Sequence, residues 1–198
     1  YQQHSQSAQG NCRNRGIGSS TFLNDVTDIF VSQSFNLIVE TYNASGEDDS
    51  SRDQATAADQ FWGYAVECGE DGAYAGSPYL AQALINTAVY AYQTDDLLCS
   101  IEARQRLEED QFSDTEYYTD NAYYLGYAEE TLANFEEAAS HYENYFERFH
   151  DDSPDEGSNH ERAQEAIAFA GNFRVATGTE AGVEQGIANY RLFIDEYP

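Results

Sequence analysis

The chain has 198 residues, of which 36 are acidic and 9 are arginine, and it contains neither lysine nor methionine, which gives a formal net charge of -27. A chain this negative repels nucleic acid and anionic membrane surfaces, so we predict neither as a partner. No stretch approaches the roughly 20 apolar residues that a membrane-spanning helix requires. The length is sufficient for one domain or one short solenoid.

The acidic residues admit two interpretations. Their placement on helix faces and in turns favours a solvated, salt-adapted surface, whereas specific calcium sites are the alternative. The richest acidic turn, at residues 151–157, has Pro154 and Glu156 where an EF-hand loop requires a ligand and a glycine. The turn therefore does not fit that template, and we predict no metal site and no cofactor.

The first residue and the cysteines are the basis for a prediction of the protein's cellular location. The chain begins at Tyr1 rather than Met, which we interpret as a processed form with an export signal removed, or as a fragment. We expect an exported protein, located outside the cell or in the cell envelope. The three cysteines, Cys12, Cys68 and Cys99, then predict one internal disulfide and one remaining thiol, although three buried thiols would be ordinary in a cytosolic protein. Cys68–Cys99 is the candidate pair because each lies near a predicted helix end.

Residues 1–20 form a polar, glycine-rich N-terminal arm without apolar periodicity, which alone would be disordered. We expect this arm to be ordered by docking on its own domain or on a neighbouring copy. Residues 21–42 predict a long helix, with its N-cap at residues 19–21. A solvated turn follows, and its Asn43-Ala44-Ser45 sequence is an N-glycosylation sequon, so Asn43 is the glycosylation candidate.

Three further helices are predicted at residues 53–68, 79–92 and 97–110. Asp95 and Asp96 can cap the last of them, and the last two helices form a hairpin. Helical spacing predicts that the apolar side chains of the 97–110 helix are buried, namely Leu98, Ile101 and Leu107.

Residues 121–154 contain the most regular helical pattern in the chain. Two apolar stripes at i, i+3, i+4, i+7 spacing are separated only by Ala133-Asn134, which predicts an antiparallel helix hairpin joined by a tight turn. Gly126 is small at the point where the two helices approach, and the bulky Tyr142 fills the space toward the next helix.

These residues resemble a tetratricopeptide repeat. The resemblance rests on Leu125-Gly126, on the run from Asn134 to Ala138, on Tyr142 and on the later Pro154. One departure is Glu129, because the family has an aromatic or large apolar residue there. The spacing is similar to that of tetratricopeptide proteins of bacterial envelopes.

A second copy of the pattern lies at the end of the chain. Residues 182–198 align with residues 134–150, with Tyr190 on Tyr142, and Ala170 lies upstream where Gly126 lies in the first copy. Such repeats stack to bury their stripes. The resemblance therefore implies an all-α fold in which antiparallel helix pairs stack as a short α-solenoid of about eight helices, spanning residues 21–198 as a single domain. The clearest repeats are at residues 118–154 and 160–198.

Catalytic motifs are not found in the sequence. His160-Glu161-Arg162-Ala163-Gln164 begins like the helix of a zinc protease but lacks its second histidine. No Gly-x-Ser-x-Gly elbow occurs, and carboxylate pairs are too frequent here to indicate a site. We therefore predict that the protein is not an enzyme.

The first functional hypothesis is self-assembly. A solenoid exposes apolar faces at its ends unless special caps cover them, and the last helix is as apolar as the internal ones. We expect copies to associate head to tail into a filament or extracellular assembly. The predicted interface residues come from both ends of the chain: Phe22, Phe30, Phe35, Tyr190, Phe193 and Tyr197.

The alternative hypothesis is a monomeric adaptor that binds a peptide or protein partner in envelope assembly. Its groove would be lined by Asn121, Tyr123 and Tyr127. Tyrosines pair apolar area with a hydroxyl and also stack on sugars, so glycans are a further possible partner.

Overall fold

The computed structural model describes residues 19–69, 72–152 and 159–198, with side chains from residue 26 onward. The described residues form nine α-helices and one short 3-10 turn, Asp110–Phe112, and contain no strand. This confirms the predicted all-α class. The helices are α1 (Ser19–Ala44), α2 (Gln54–Glu67), α3 (Leu80–Gln93), α4 (Leu97–Leu107), α5 (Glu116–Thr119), α6 (Asn121–Thr131), α7 (Phe135–Phe149), α8 (Asn159–Ala176) and α9 (Glu180–Glu196).

The chain divides into two compact units, Tyr1–Ala83 and Leu84–Pro198. In the second unit α6, α7, α8 and α9 pack in consecutive pairs, as a helical-repeat fold requires. The single solenoid over residues 21–198 stays a prediction. The N-terminal arm falls almost entirely outside the described residues. None of the helices described is long and apolar enough to cross a membrane.

The first unit is built around Phe35 of α1. Its ring stacks on Tyr79 at a centroid distance of 4.8 Å and contacts Phe61 and Tyr64 of the second helix at 5.5 Å. The hydroxyl of Tyr64 donates to the carbonyl of Val31 at 3.3 Å. This aromatic cluster buries Phe35 to 3% exposure and holds α1 against α2.

The predicted cap of α4 is confirmed, whereas residues 19–21, predicted to cap the first helix, lie within α1. The carboxylate of Asp96 accepts from the backbone N–H of Cys99 at 3.2 Å and caps α4, as expected for one of the two aspartates there. Between α6 and α7, Ala133 adopts a left-handed conformation (φ 59) and Asn134 is the N-cap, which confirms the tight turn.

Glu129, the departure from the repeat pattern, is buried and has a structural role in that turn. One of its carboxylate oxygens accepts from the Asn134 side-chain amide at 2.7 Å, and its backbone carbonyl accepts from the Asn134 N–H at 3.0 Å. The polar side chain is satisfied by the turn that follows, so the position tolerates a carboxylate in place of a large apolar group.

The predicted Cys68–Cys99 disulfide is not found among the described residues. No disulfide bond joins these two cysteines, and Cys12 lies outside the described residues. Cys68 is the C-cap residue of α2 in the first unit, and Cys99 lies in the first turn of α4 in the second unit. A position near a helix end does not fix a distance, whereas a disulfide needs Cα atoms about 4.4–6.8 Å apart.

A charged network joins the last three helices. Arg174 of α8 donates to Glu143 of α7 from Nε at 3.0 Å, and the side-chain amide of Asn189 in α9 donates to the same carboxylate at 2.7 Å. Burial alone would raise the pKa of Glu143, but the hydrogen bonds from Arg174 and Asn189 and the charge of Arg174 outweigh it and hold that pKa below its usual value of 4.5.

Replacing Glu143 by glutamine should remove an acid-sensitive part of the stability. Because the pKa of Glu143 is lower in the folded chain, its stabilisation is complete above the unfolded value and is lost as pH falls through the folded value. Urea unfolding should therefore show a difference in the free energy of unfolding between wild type and Glu143→Gln at pH 7 that shrinks as the pH falls below the usual value of 4.5. Glu147→Gln, an exposed change on the same helix, is the control. A gap that is constant with pH would contradict the assignment.

Candidate functional site

Two of the histidines in the described part of the chain contact backbone carbonyls. Nδ1 of His150 lies 3.1 Å from the carbonyl of Phe146, and Nδ1 of His160 lies 3.1 Å from the carbonyl of His150. Burial lowers the pKa of His141. In the part of the chain that the structure describes, no group of three or more His, Cys, Asp or Glu side chains could hold a metal ion.

The second unit contains a tyrosine-walled pocket of about 460 Å³. Four helices and the residue before α6 contribute to it. Its lining residues are Ile85, Val89, Tyr92, Gln93, Arg104, Glu116, Tyr117, Asp120, Asn121, Tyr124 and Tyr127. A cavity of this size, with apolar walls and few polar groups, is the usual setting for a small ligand or a peptide side chain.

Arg104 is the buried cation of this pocket. Only 5% of the residue is exposed, and its guanidinium carbon lies 5.2 Å from the centre of the Tyr124 ring. Nη1 donates to Oδ1 of Asn121 at 3.3 Å. Desolvation lowers the pKa of Arg104 to about 10, although the nearby Tyr124 and Tyr92 act in the opposite direction. The arginine therefore stays charged at neutral pH.

Asn121 holds Arg104 in place. Its side-chain amide donates to the Arg104 carbonyl at 2.8 Å and to the carboxylate of Glu108 at 2.7 Å, while its oxygen accepts from the guanidinium. Glu108 in turn is paired with Arg148. Because both polar ends of Asn121 are occupied within the fold, this residue positions the arginine rather than contacting a partner.

The structure separates the three residues predicted for a groove. Asn121 and Tyr127 both line the tyrosine-walled pocket. Tyr123 instead packs edge-on against Tyr142 and Tyr145, and its hydroxyl donates to Glu165 at 3.3 Å. Tyr123 thus belongs to the contact between helices of the second unit.

A second candidate surface is an exposed apolar stripe on α9. It consists of Val183, Ile187, Tyr190 and Ile194, which recur at i, i+4, i+7 and i+11 and therefore share one face of the helix. Ile194 is 65% exposed. We call these four residues the α9 stripe. The adjacent flank of α9 is already packed on α8 through the buried Gly182 and Gly186.

Tyr190 of the α9 stripe has an internal counterpart, Tyr142 of α7, and each of the two tyrosines packs on a glycine of the preceding helix. A Cβ added at Gly126 would lie 3.1 Å from the ring of Tyr142, and one added at Gly171 would lie 2.7 Å from the ring of Tyr190. Each glycine therefore admits a tyrosine from the following helix. Gly171, rather than the predicted Ala170, is the equivalent of Gly126.

The two tyrosines differ in what lies on their outer side. Phe169 and Phe173 of α8 lie 5.5 and 6.0 Å from the Tyr142 ring, and Tyr142 is 0% exposed. Tyr190 makes a hydrogen bond to Asn172 at 2.6 Å but remains 36% exposed. The aromatic cover that α8 gives to α7 thus has no equivalent over α9 among the described residues.

The predicted interface residues divide into exposed and packed groups. Tyr190 and Phe30 are exposed, whereas Phe35 is buried within its own unit and offers no surface to a partner. Phe193 and Tyr197 are half-buried against the core cluster of α7 and α8. Their main contacts are therefore within the fold rather than on a free surface. The side chain of Phe22 lies outside the described ones.

The N-terminal helix also presents an apolar face. Its exposed members are Val26, Ile29, Phe30 and Leu37, which we call the α1 face. They share one side of the helix by the same spacing rule. Asn43 is exposed in the last turn of α1, so the sequon begins within a helix rather than in the predicted turn.

Comparison of the chain with protein-family models, with curated proteins and with solved structures finds no match.

Proposed function

We propose that this protein is a non-enzymatic helical-repeat subunit that associates with copies of itself through the α9 stripe. The observation that carries the proposal is the unequal cover of two equivalent tyrosines, Tyr142 and Tyr190. A helix laid over α9 as α8 lies over α7 would enclose Tyr190 and the three aliphatic residues beside it. Each large apolar side chain buried in this way contributes roughly 1.5–3 kcal/mol before the entropic cost of association.

The occupant that we propose is the α1 face of a second copy. It supplies an aromatic residue, Phe30, and three aliphatic ones on one side of a helix, which is the kind of surface that covers Tyr142 inside the chain. The two surfaces differ from each other, so the contact is heterologous. Such contacts form open chains unless the rotation between copies closes a ring.

Repeat membership is part of the same proposal. We infer a divergent tetratricopeptide-like protein, because two successive helix pairs each place a glycine under a tyrosine of the following helix. Close approach through small residues is what allows such pairs to stack regularly.

The experiment is the mass of the full chain in solution as protein and salt concentrations are raised. Each copy carries a formal net charge of -27, so electrostatic repulsion opposes association at low salt. At an ionic strength of 0.15 M this repulsion is screened over about 8 Å. Light scattering should show a mass that grows with protein concentration and grows further with added salt. A monomer that persists at high concentration in molar salt would overturn the proposal and leave a different protein as the occupant of the α9 stripe.

A second candidate function, an adaptor for a peptide or protein partner, is favoured by the tyrosine-walled pocket. Tyr127 and Arg104 line it, and neither belongs to the α9 stripe or the α1 face. The adaptor would bind its partner as a monomer, so mutation of the α9 stripe would leave that binding unchanged.

A further inference from the structure

We propose that the tyrosine-walled pocket binds a monocarboxylate with an apolar body, with Arg104 receiving the carboxylate and the tyrosines receiving the body. This site is independent of self-association, because the pocket and the α9 stripe share no residue.

The first step in the argument is the missing counter-charge of Arg104. In this acidic chain the other well-buried arginines have carboxylate partners: Arg148 pairs with Glu108, and Arg174 with Glu143. Arg104 is as buried as these, yet within the described residues it has no carboxylate at ion-pair distance. Nε of Arg104 is buried without a hydrogen-bond partner.

A buried, uncompensated guanidinium is costly to the fold. Removing a charge from water is unfavourable unless it is paired and hydrogen-bonded, and Asn121 offers only one acceptor oxygen. The cation–π contact with Tyr124 offsets part of this cost. An anion that entered the pocket would supply the missing charge, and a carboxylate matches the parallel N–H donors of arginine.

The residues that line the pocket select the apolar body to which the carboxylate is attached. Ile85, Val89 and four tyrosines enclose a volume of about 460 Å³, which accepts a phenyl ring or a short aliphatic chain. Tyrosine faces provide apolar area at a small cost in side-chain entropy.

The surrounding charges restrict the ligand to a single negative charge. Two carboxylates line the pocket, those of Glu116 and Asp120, and Asp120 is engaged by Arg162. The whole chain carries a formal net charge of -27. Phosphates and dicarboxylates would meet repulsion that one arginine cannot offset, whereas a monocarboxylate is neutralised by Arg104 alone. The source is either a free organic acid or the terminal carboxylate of a peptide.

The test is calorimetric titration of the full chain with 3-phenylpropionate and with its neutral isostere, 3-phenylpropionamide. The acid should bind, and the amide should bind roughly 10- to 100-fold more weakly because it lacks the charge-assisted hydrogen bonds. Equal affinity for the two compounds, or no binding of the acid, would overturn the proposal. A tripeptide, Gly-Gly-Phe, with a free or an amidated C-terminus distinguishes the two sources. Tighter binding of its free form than of 3-phenylpropionate indicates a peptide.

Variants assign the effect to the pocket. Arg104→Gln should weaken binding of the acid roughly 10- to 100-fold, while Arg191→Gln, which removes an equal charge at an exposed position of α9, should leave it unchanged. If Arg104→Gln disturbs the fold, Tyr127→Ala provides an independent test, because Tyr127 is exposed and lines the pocket. We expect Tyr127→Ala to lower the affinity for 3-phenylpropionate severalfold while the helical content stays unchanged. An unchanged affinity would overturn the assignment of the site to this pocket.

Discussion

Replacing Ile194 by aspartate should convert an associating protein into a monomer of unchanged helical content. Ile194 is 65% exposed and contributes little to the core, so its loss costs the fold almost nothing. In the proposed contact the same change removes roughly 1.5–3 kcal/mol of apolar burial and places an unpaired charge against an apolar helix. Association should weaken by about 100-fold or more, measured by light scattering or sedimentation.

The control for this experiment is Gln185→Glu. Gln185 is exposed on the same helix, on the side away from the α9 stripe, and the change adds the same single negative charge. It should leave association nearly unchanged. If both variants associate like the wild type, the contact does not involve α9. If both dissociate equally, general charge repulsion rather than the stripe controls assembly. Phe193 is unsuited to this test because it packs on the core.

Substituting leucine for Gly126 should destabilise the fold much more than the same change at Gly171. Tyr142, against which Gly126 packs, is enclosed by α8 and donates to Glu130 at 2.8 Å, so it cannot move away. Overpacking of this kind costs about 1–3 kcal/mol. Leucine is the better helix former by nearly 1 kcal/mol at both positions, so the comparison cancels this term. Thermal melting followed by circular dichroism should place Gly126→Leu several degrees below wild type.

Gly171→Leu should act on association instead. The ring of Tyr190 is partly exposed and can swing outward when a side chain is added beneath it. The displaced ring would then obstruct the α9 stripe. We expect a melting temperature close to wild type together with weaker association. A Gly171→Leu protein that melts below Gly126→Leu would show that Tyr190 is as firmly enclosed as Tyr142 in the single chain.

Local chemistry explains which features the sequence predicted well. The turn at Ala133-Asn134, the cap at Asp96 and the start of α7 depend on a few neighbouring residues, and the structure has all of them. The four-residue helix α5 and the 3-10 turn were missed because a single turn carries no periodicity.

The tyrosine-walled pocket shows where prediction from the sequence stopped. Arg104 lies at helical spacing between Ile101 and Leu107, on the apolar side of α4, and that position was the available signal of a buried cation. Leu98 was predicted to be buried in the same helix, yet it is 72% exposed. Spacing identifies the residues that share a face, but the helices packed beside α4 determine which of its faces is covered.

Residue order predicted the all-α class, most helix bounds and the pairing of a small residue with a tyrosine, because capping, turn and spacing rules act over a few residues. Other features follow from the packed fold: Gly171 is the partner of Tyr190, Phe35 is buried within its own unit, and Ile194 is exposed. Each of these depends on distances between residues of different helices. Such distances are fixed by packing, in which every side chain competes for the same space, and not by the order of residues within one helix.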